Sequence, residues 1–176
     1  MTALAAVLAG GRGRRMGGQK TLVEFAGGPL IARPVSVAVA AGLEVVVVAK
    51  AGTPLPRLDV PVWHEPDEPV HPLLGIVTAL ERAGRSVLAV ACDMPFLTAE
   101  LLARLAAGPE AAVRTADQIA PFPARYDLAQ LPALRVALAR EASLRATLAA
   151  LGPATLAGVD EDVLASINTP EQLRDA

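Results

Sequence analysis

The fold of this chain is constrained most by the way short apolar runs alternate with stretches whose apolar residues recur at helical spacing. The runs at residues 44–49 and 86–91 consist almost entirely of Val, Leu and Ala. Runs of this kind are typical of strands that are buried on both faces, as in parallel sheets that helices cover on both sides. The sequence therefore predicts an α/β fold of three layers, with a mostly parallel central sheet flanked by helices.

The same patterns predict the individual elements. Strands are expected at residues 3–8, 44–49, 60–64, 86–91, 111–114 and 119–122, and helices at 30–41, 73–82, 98–107, 128–140 and 143–151. The prolines near residues 119–122 predict an edge strand. A capping box of Thr169, Pro170 and Gln172 predicts one more helix at the end of the sequence. No linker or repeat interrupts the pattern, so residues 1–176 are expected to form a single domain.

Composition excludes several classes of protein. With 16 Lys and Arg against 18 Asp and Glu, the formal net charge is −2, which argues against nucleic acid as a partner. The single Cys excludes an internal disulfide and a zinc cluster of thiols, and it fits a reducing, cytoplasmic compartment. The apolar opening segment has no basic residues before it and leads directly into a Gly- and Arg-rich loop, unlike a signal peptide or a membrane span.

That loop, at residues 8–20, is the first candidate for a functional site. It contains five glycines, three arginines and Lys20, which is one of only two lysines in the chain, the other being Lys50. Glycine-rich backbone can turn its N–H groups toward an anion, and the cations complement a polyphosphate. Two known phosphate motifs fail here, because Met16 stands where the dinucleotide fingerprint needs Gly and Gln19 separates Gly18 from the lysine of a P-loop. A diverged P-loop remains an alternative.

Four segments of the chain resemble motifs of the molybdenum cofactor guanylyltransferase family. They are Leu8-Ala9-Gly10-Gly11 with Arg15-Met16-Gly17 and Lys20, then Pro72-Leu73-x-Gly75-Ile76, Cys92-Asp93-Met94-Pro95-Phe96, and Asn168-Thr169-Pro170-Glu171-Gln172-Leu173. The resemblance implies a single Rossmann-like α/β domain. It also implies a reaction in which a nucleoside monophosphate passes from a nucleoside triphosphate to a phosphorylated acceptor and pyrophosphate is released. The implied partners are GTP, molybdopterin or molybdenum cofactor, and proteins of the cofactor pathway.

The chemistry of that reaction indicates what the phosphate-binding residues would do. Backbone N–H groups at Gly10 and Gly11, next to Leu8 and Ala9, can hold the triphosphate. Arg15 and Lys20 can balance the charge of the phosphates and of the leaving pyrophosphate. Among the three neighbouring arginines, the family motif selects Arg15.

Carboxylates and an amide complete the expected site. Asp93 directly follows a predicted buried strand, and Mg²⁺ typically takes one or two carboxylates plus phosphate oxygens, so Asp93 is the expected metal ligand and a catalytic residue. The resemblance implies that an acidic residue after the third strand binds guanine, either Glu65 or Asp67, although a solvated acidic loop would have the same sequence. Asn168 is expected to face the acceptor or the metal. Cys92 is expected to be a small buried side chain.

Departures from the family pattern leave the base and the acceptor open. His71 stands where the family usually has Gly, Lys50 where an Asn often helps to read the base, and Ser166 where a second Asn precedes Asn168. Guanylyl transfer to molybdopterin is the leading hypothesis. The alternatives are cytidylyl transfer to the same cofactor, transfer to a phosphorylated sugar or isoprenoid precursor, a P-loop-like triphosphatase or kinase, and a nucleotide-binding module without catalysis.

Overall fold

The computed structural model describes residues 3–11 and 20–175 of the chain, so the predicted Arg15 lies outside the described residues. The strands are β1 Leu4–Leu8, β2 Glu24–Phe25, β3 Gly28–Pro29, β4 Glu44–Lys50, β5 Val62–Glu65, β6 Val87–Ala91, β7 Ala112–Arg114, β8 Ile119–Tyr126 and β9 Thr155–Leu156. The α-helices are α1 Ala32–Ala40, α2 Pro72–Ala83, α3 Ala99–Ala107, α4 Leu131–Ala139, α5 Leu144–Leu151 and α6 Pro170–Asp175.

Within the described residues, seven strands form one sheet in the order β5-β4-β1-β6-β8-β7-β9, and β2 pairs with β3 in a separate short ribbon. Strands β5, β4, β1 and β6 are parallel to one another. Strand β8 runs antiparallel to both β6 and β7, and β9 is parallel to β7. The prediction of a mostly parallel central sheet with flanking helices is therefore confirmed.

Apolar side chains cover both faces of this sheet. Helices α1 and α3 pack against one face, where they contribute Val35, Ala38, Leu101, Leu102 and Leu105 to one cluster of buried residues. A second cluster packs α2, α4 and α5 on the opposite face. Neighbouring residues of β4 point to opposite faces, so the uninterrupted Val run serves both clusters. This two-sided burial explains why the central strands are apolar at every position apart from Glu44 and Lys50 at the two ends of β4.

Local sequence determines where the helices begin and end. Helix α2 has Pro72 in its first turn, and its preceding residue His71 accepts a hydrogen bond at Nδ1 from Leu73 N–H, 3.2 Å away. It ends at Gly84, whose φ of 60° favours glycine. Thr98 caps α3 by accepting from Leu101 N–H. Such caps satisfy backbone donors that a helix leaves without partners, and each typically contributes about 1 kcal/mol.

The prediction that residues 119–122 form an edge strand is wrong. Strand β8 lies between β6 and β7 and extends to Tyr126. Its pairing with β6 involves only Ala124, Arg125 and Tyr126, and its pairing with β7 shifts register between Ala112 and Arg114. The prolines at 121 and 123 therefore fall where the ladder is irregular, which removes the cost of their missing N–H groups.

Other boundaries differ by small amounts. The third predicted strand begins and ends later, at Val62–Glu65, and the helix predicted at 128–140 is a 3-10 turn, Leu128–Gln130, followed by α4. Pro132 near the start of α4 explains this break, since proline is tolerated only in the first turn of a helix. None of the helices in the described part of the chain is long and apolar enough to cross a membrane.

Candidate active site

A cavity of about 400 Å³ opens at the carboxyl ends of the parallel strands. The parallel strands β1, β4, β5 and β6 end at this edge of the sheet, so the segments that follow them meet there. Eight of the ten predicted site residues line the cavity: Leu8, Ala9, Gly10, Gly11, Lys20, Glu65, Asp93 and Asn168. The first turn of α2, with its positive end of the helix dipole, also contributes to the cavity wall.

Lys20, Asp93 and Asn168 form a cluster in this cavity. The Lys20 ammonium group is in an ion pair with the Asp93 carboxylate, and it also donates to Asn168 Oδ1 at 2.7 Å. The side chains of Lys20 and Asp93 are 16% and 14% exposed. Three segments far apart in the sequence therefore place one cation and two oxygen acceptors at a single point.

Each member of this cluster is held by its own local structure. Lys20 begins a 3-10 turn whose next residue, Thr21, is buried and donates its hydroxyl to Pro54 O. Asn168 is fixed by the capping box of α6, because Gln172 Oε1 accepts from Asn168 N–H at 2.7 Å. The neighbouring Ile167 N–H donates to Asp93 O at 2.9 Å, which ties the last segment of the chain to the end of β6.

Glu65 is a further charged group of the cavity, and it is almost completely buried. It ends β5, directly opposite Lys50 at the end of β4. Lys50 Nζ lies 3.2 Å from Glu65 Oε1 and donates to Pro66 O at 2.6 Å. Burial raises the pKa of the Glu65 carboxyl, and the Lys50 ammonium opposes that rise. The interpretation of residues 64–69 as a wholly solvated loop is therefore wrong for Glu65.

Two motif glycines make room for this carboxylate. A Cβ atom at Gly10 would lie 1.8 Å from Glu65 Oε1, and one at Gly75 would lie 3.0 Å from Glu65 Oε2. A contact of 1.8 Å is far below any van der Waals separation, so the present position of Glu65 requires glycine at position 10. The Leu-Ala-Gly-Gly segment and the Pro-Leu-x-Gly segment are thus linked through a residue that lies in neither.

The remaining candidates lie in different settings. Asp67 is exposed and does not line the cavity. His71 lines it, but its ring caps α2 rather than standing free in a loop. Cys92 also lines the cavity and is only partly buried, and burial together with the adjacent Asp93 carboxylate raises the pKa of its thiol to about 12. Cys92 is therefore a neutral wall residue at ordinary pH.

Sequence reasoning did not anticipate every residue of the cavity. Thr21, Thr53, Val70 and Phe122 line it as well, and none of them stands in a recognisable motif. The ion pair of Lys50 with Glu65 was also missed, although the rarity of lysine had marked position 50. In residues 3–11 and 20–175, no group of three or more His, Cys, Asp or Glu side chains is placed to hold a metal ion.

Fold and site together define an α/β protein with a crevice lined by charged and polar side chains at the carboxyl edge of its sheet. The profile of the MobA-like NTP transferase domain matches residues 5–156. The chain belongs to this family, and it is an enzyme of the nucleotidyltransferase kind. The resemblance seen in the sequence motifs is thereby confirmed.

Relatives with similarity over nearly the whole chain support the same assignment. A molybdenum cofactor guanylyltransferase from Rhodobacter capsulatus is 34% identical, over 95% of this chain and 90% of the relative. One from Shewanella amazonensis is 32% identical, over 96% and 92%. The crystal structure of molybdopterin-guanine dinucleotide biosynthesis protein A from Archaeoglobus fulgidus has a TM-score of 0.77 and 25% identity, covering 98% of this chain and 95% of that one.

Proposed function

We propose that this protein transfers GMP from GTP to the terminal phosphate of molybdopterin or molybdenum cofactor, with Mg²⁺, and releases pyrophosphate. The observation that carries the proposal is the convergence of Lys20, Asp93 and Asn168 in the same cavity as the buried Glu65 carboxylate. A phosphate-binding cation, metal-binding oxygens and a base-reading carboxylate are the groups that this reaction needs.

The donor set of the cluster fits a divalent metal. A carboxylate oxygen of Asp93 and the amide oxygen of Asn168 already converge on one cation, the Lys20 ammonium group. Mg²⁺ prefers oxygen ligands of these kinds and usually needs only one or two from the protein when phosphates supply others. Asp93 and Asn168 would therefore hold the metal. When bound, Mg²⁺ neutralises phosphate charge and orients the transferring group.

Transfer requires an oxygen of the acceptor phosphate to bond to the α-phosphorus of GTP while the bond from that phosphorus to the bridging oxygen breaks. The electron pair of the broken bond leaves with pyrophosphate. Lys20, released from Asp93 by the incoming nucleotide, would then balance the negative charge that develops on the leaving group. Backbone N–H groups of Gly10 and Gly11, together with Arg15, would hold the phosphates in line.

Glu65 supports guanine as the base. An ionised carboxylate only accepts hydrogen bonds, and guanine presents its N1–H and exocyclic amine side by side, whereas cytosine presents one amine next to an acceptor nitrogen. Gly10 leaves Glu65 room to take up this position. Asp67 is the less suitable of the two acidic candidates because it lies outside the cavity.

The test is anaerobic release of pyrophosphate with Mg²⁺ and molybdopterin or molybdenum cofactor, supplying GTP, CTP or ATP separately. Release with GTP alone is expected. Release with CTP alone would support nucleotidyl transfer but contradict guanine as the base. No release with any of the three nucleotides would contradict molybdopterin or molybdenum cofactor as the acceptor. Phosphate release without acceptor would instead favour a hydrolase.

Matched variants then separate site effects from general charge effects. Glu65→Gln is expected to weaken use of GTP strongly. Asp67→Asn removes a charge only two residues away, from an exposed side chain outside the cavity, and is expected to leave turnover unchanged.

A further inference from the structure

The ion pair of Lys50 with Glu65 lies at the edge of the cavity, with only Glu65 among the lining residues. Both residues end their strands and face each other in register, on the side of the sheet that α2 covers. Their side chains are 13% and 5% exposed. Glu65 lines the cavity but Lys50 does not, so the contact that Lys50 makes at the cavity is with the carboxylate.

The contacts of this pair fix the carboxylate on both sides. Lys50 Nζ and Gly10 border Oε1, while Gly75 in the first turn of α2 borders Oε2. Lys50 is itself held by its second hydrogen bond, to Pro66 O at 2.6 Å. The backbone at Gly10 and Gly75 and the Lys50 ammonium group thus surround the carboxylate on the sides that do not face the cavity.

Stability alone is a poor explanation for such a pair. Removing two charges from water costs about as much as their attraction returns, and apolar residues of similar size often hold a buried contact equally well. What the pair does provide is a fixed cation beside the buried carboxylate, which opposes the rise in the pKa of Glu65 that burial causes.

Two other cations of the described part of the chain, one in the cavity and one beside β5, have other partners. Lys20 contacts Asp93 and Asn168, and the Arg82 guanidinium lies 4.9 Å from the centre of the Trp63 ring. Among the described residues, Lys50 supplies the ion pair that Glu65 makes. In this part of the chain, one lysine therefore holds the direction of the carboxylate.

We propose that Lys50 is a positioning residue that determines base specificity, holding the Glu65 carboxylate aimed so that the cavity selects a purine with a ring N–H beside an exocyclic amine. This inference rests on the proposed function, since it takes Glu65 to be the group that reads the base. Lys50 itself makes no contact with the reacting atoms.

The experiment compares binding of GTP and ITP, with Mg²⁺, by calorimetry. ITP has the same triphosphate and ring N–H but lacks the exocyclic amine, so the ratio of the two affinities isolates that contact. The wild type is expected to prefer GTP by roughly 10- to 100-fold, the range for a hydrogen bond to a charged group. In Lys50→Met the ratio is expected to approach one, and Lys50→Arg is expected to restore most of it.

Kinetics provide a second readout. Lys50→Met should raise KM for GTP while changing kcat by less than about threefold, because the lost contact is the same in the bound substrate and the transition state. Lys50→Gln keeps a donor for Pro66 O without the charge, so it tests the same point if the Met variant folds poorly. Arg82→Met is the matched control, since it removes a cation next to β5 that does not contact Glu65.

An unchanged preference for GTP in folded Lys50→Met and Lys50→Gln would overturn the inference and leave the proposed function intact. Equal loss of the preference in Arg82→Met would also overturn it, because the effect would then be one of general stability. A wild type that does not bind GTP would overturn the proposed function and this inference with it. The double variant Lys50→Met with Glu65→Gln should match Glu65→Gln alone.

Discussion

The two lysines of the chain each pair with a carboxylate at the same edge of the sheet, yet the two pairs differ in accessibility and in what surrounds them. Lys20 and Asp93 both line the cavity, and Lys20 has a second partner, the Asn168 amide, whose oxygen can also bind a metal. In the other pair only Glu65 lines the cavity, and Lys50 is held by a backbone carbonyl. The first pair is therefore arranged to exchange partners with a ligand, and the second to stay fixed.

This contrast has an electrostatic basis. An ion pair that a ligand can reach loses little when phosphates or a metal replace its partners, because new charges compensate the old ones. The pair of Lys50 with Glu65 has no such replacement because Lys50 does not line the cavity. Breaking this pair leaves a buried charge unpaired. Substitutions in the Lys20 pair should therefore act on the rate of transfer, and substitutions around the Glu65 pair on recognition of the base.

The largest effect is expected from Asp93→Asn. Removing one preorganised charged group from a transition state typically costs about 10²–10³ in rate, or roughly 3–4 kcal/mol. Steady-state kinetics at saturating Mg²⁺ should show this loss in kcat with the melting temperature little changed. Wild-type turnover in this variant would show that Asp93 is not the metal ligand.

Lys20→Met is expected to lower kcat by about 10², since the developing charge of pyrophosphate loses its balancing cation. The comparison with Lys50→Met is the sharpest test of the contrast between the two pairs. If both variants change kcat equally, or both change only the GTP preference, the two pairs do not have separate functions. Arg135→Met, which breaks an exposed ion pair with Glu81, serves as a control for the loss of a cation.

Gly10→Ala tests the space that Glu65 occupies. The new methyl group would overlap Glu65 Oε1, so the carboxylate must move, and GTP affinity is expected to fall about tenfold. Overpacking of this kind typically also costs about 1–3 kcal/mol of unfolding free energy, measurable by denaturant titration. Gly52→Ala is the matched control, because a Cβ atom there would meet nothing within 4 Å. Unchanged GTP affinity in Gly10→Ala would show that this contact does not position Glu65.

Much of the fold could be predicted because burial on two faces leaves a strong signal. Strands β1, β4 and β6 lie within one residue of their predicted ends, and the capping box at Thr169 does start a helix. Strand β8 was misjudged because the usual rule for proline assumes that every residue of a strand pairs. In this sheet the prolines lie in the irregular part of the ladder.

The site was predictable as a set of residues but not as a set of contacts. Motifs after β1 and β6 indicated Lys20 and Asp93, since residues that follow parallel strands share one edge. The pairing of Lys50 with Glu65 depends on the register between β4 and β5 and on β5 ending at Glu65. A shift of one residue would place Glu65 on the other face of the sheet, and nothing in the local sequence specifies that register.

The smallest expected effect concerns pH, and it separates the two pairs without any substitution. Burial raises the pKa of Glu65 above its ordinary value of 4.5, so this carboxyl takes up its proton at a higher pH than an exposed glutamate as the solution is acidified. Protonated Glu65 no longer offers two acceptor oxygens to guanine. The ratio of GTP to ITP affinity should therefore decline on acidification while the pH is still above 4.5.

Because both nucleotides carry the same triphosphate, protonation of the phosphates and changes at Lys20 or Asp93 cancel in this ratio. In Glu65→Gln the ratio should be independent of pH over the same range, and a ratio that declines equally in both proteins would show that another group reads the base.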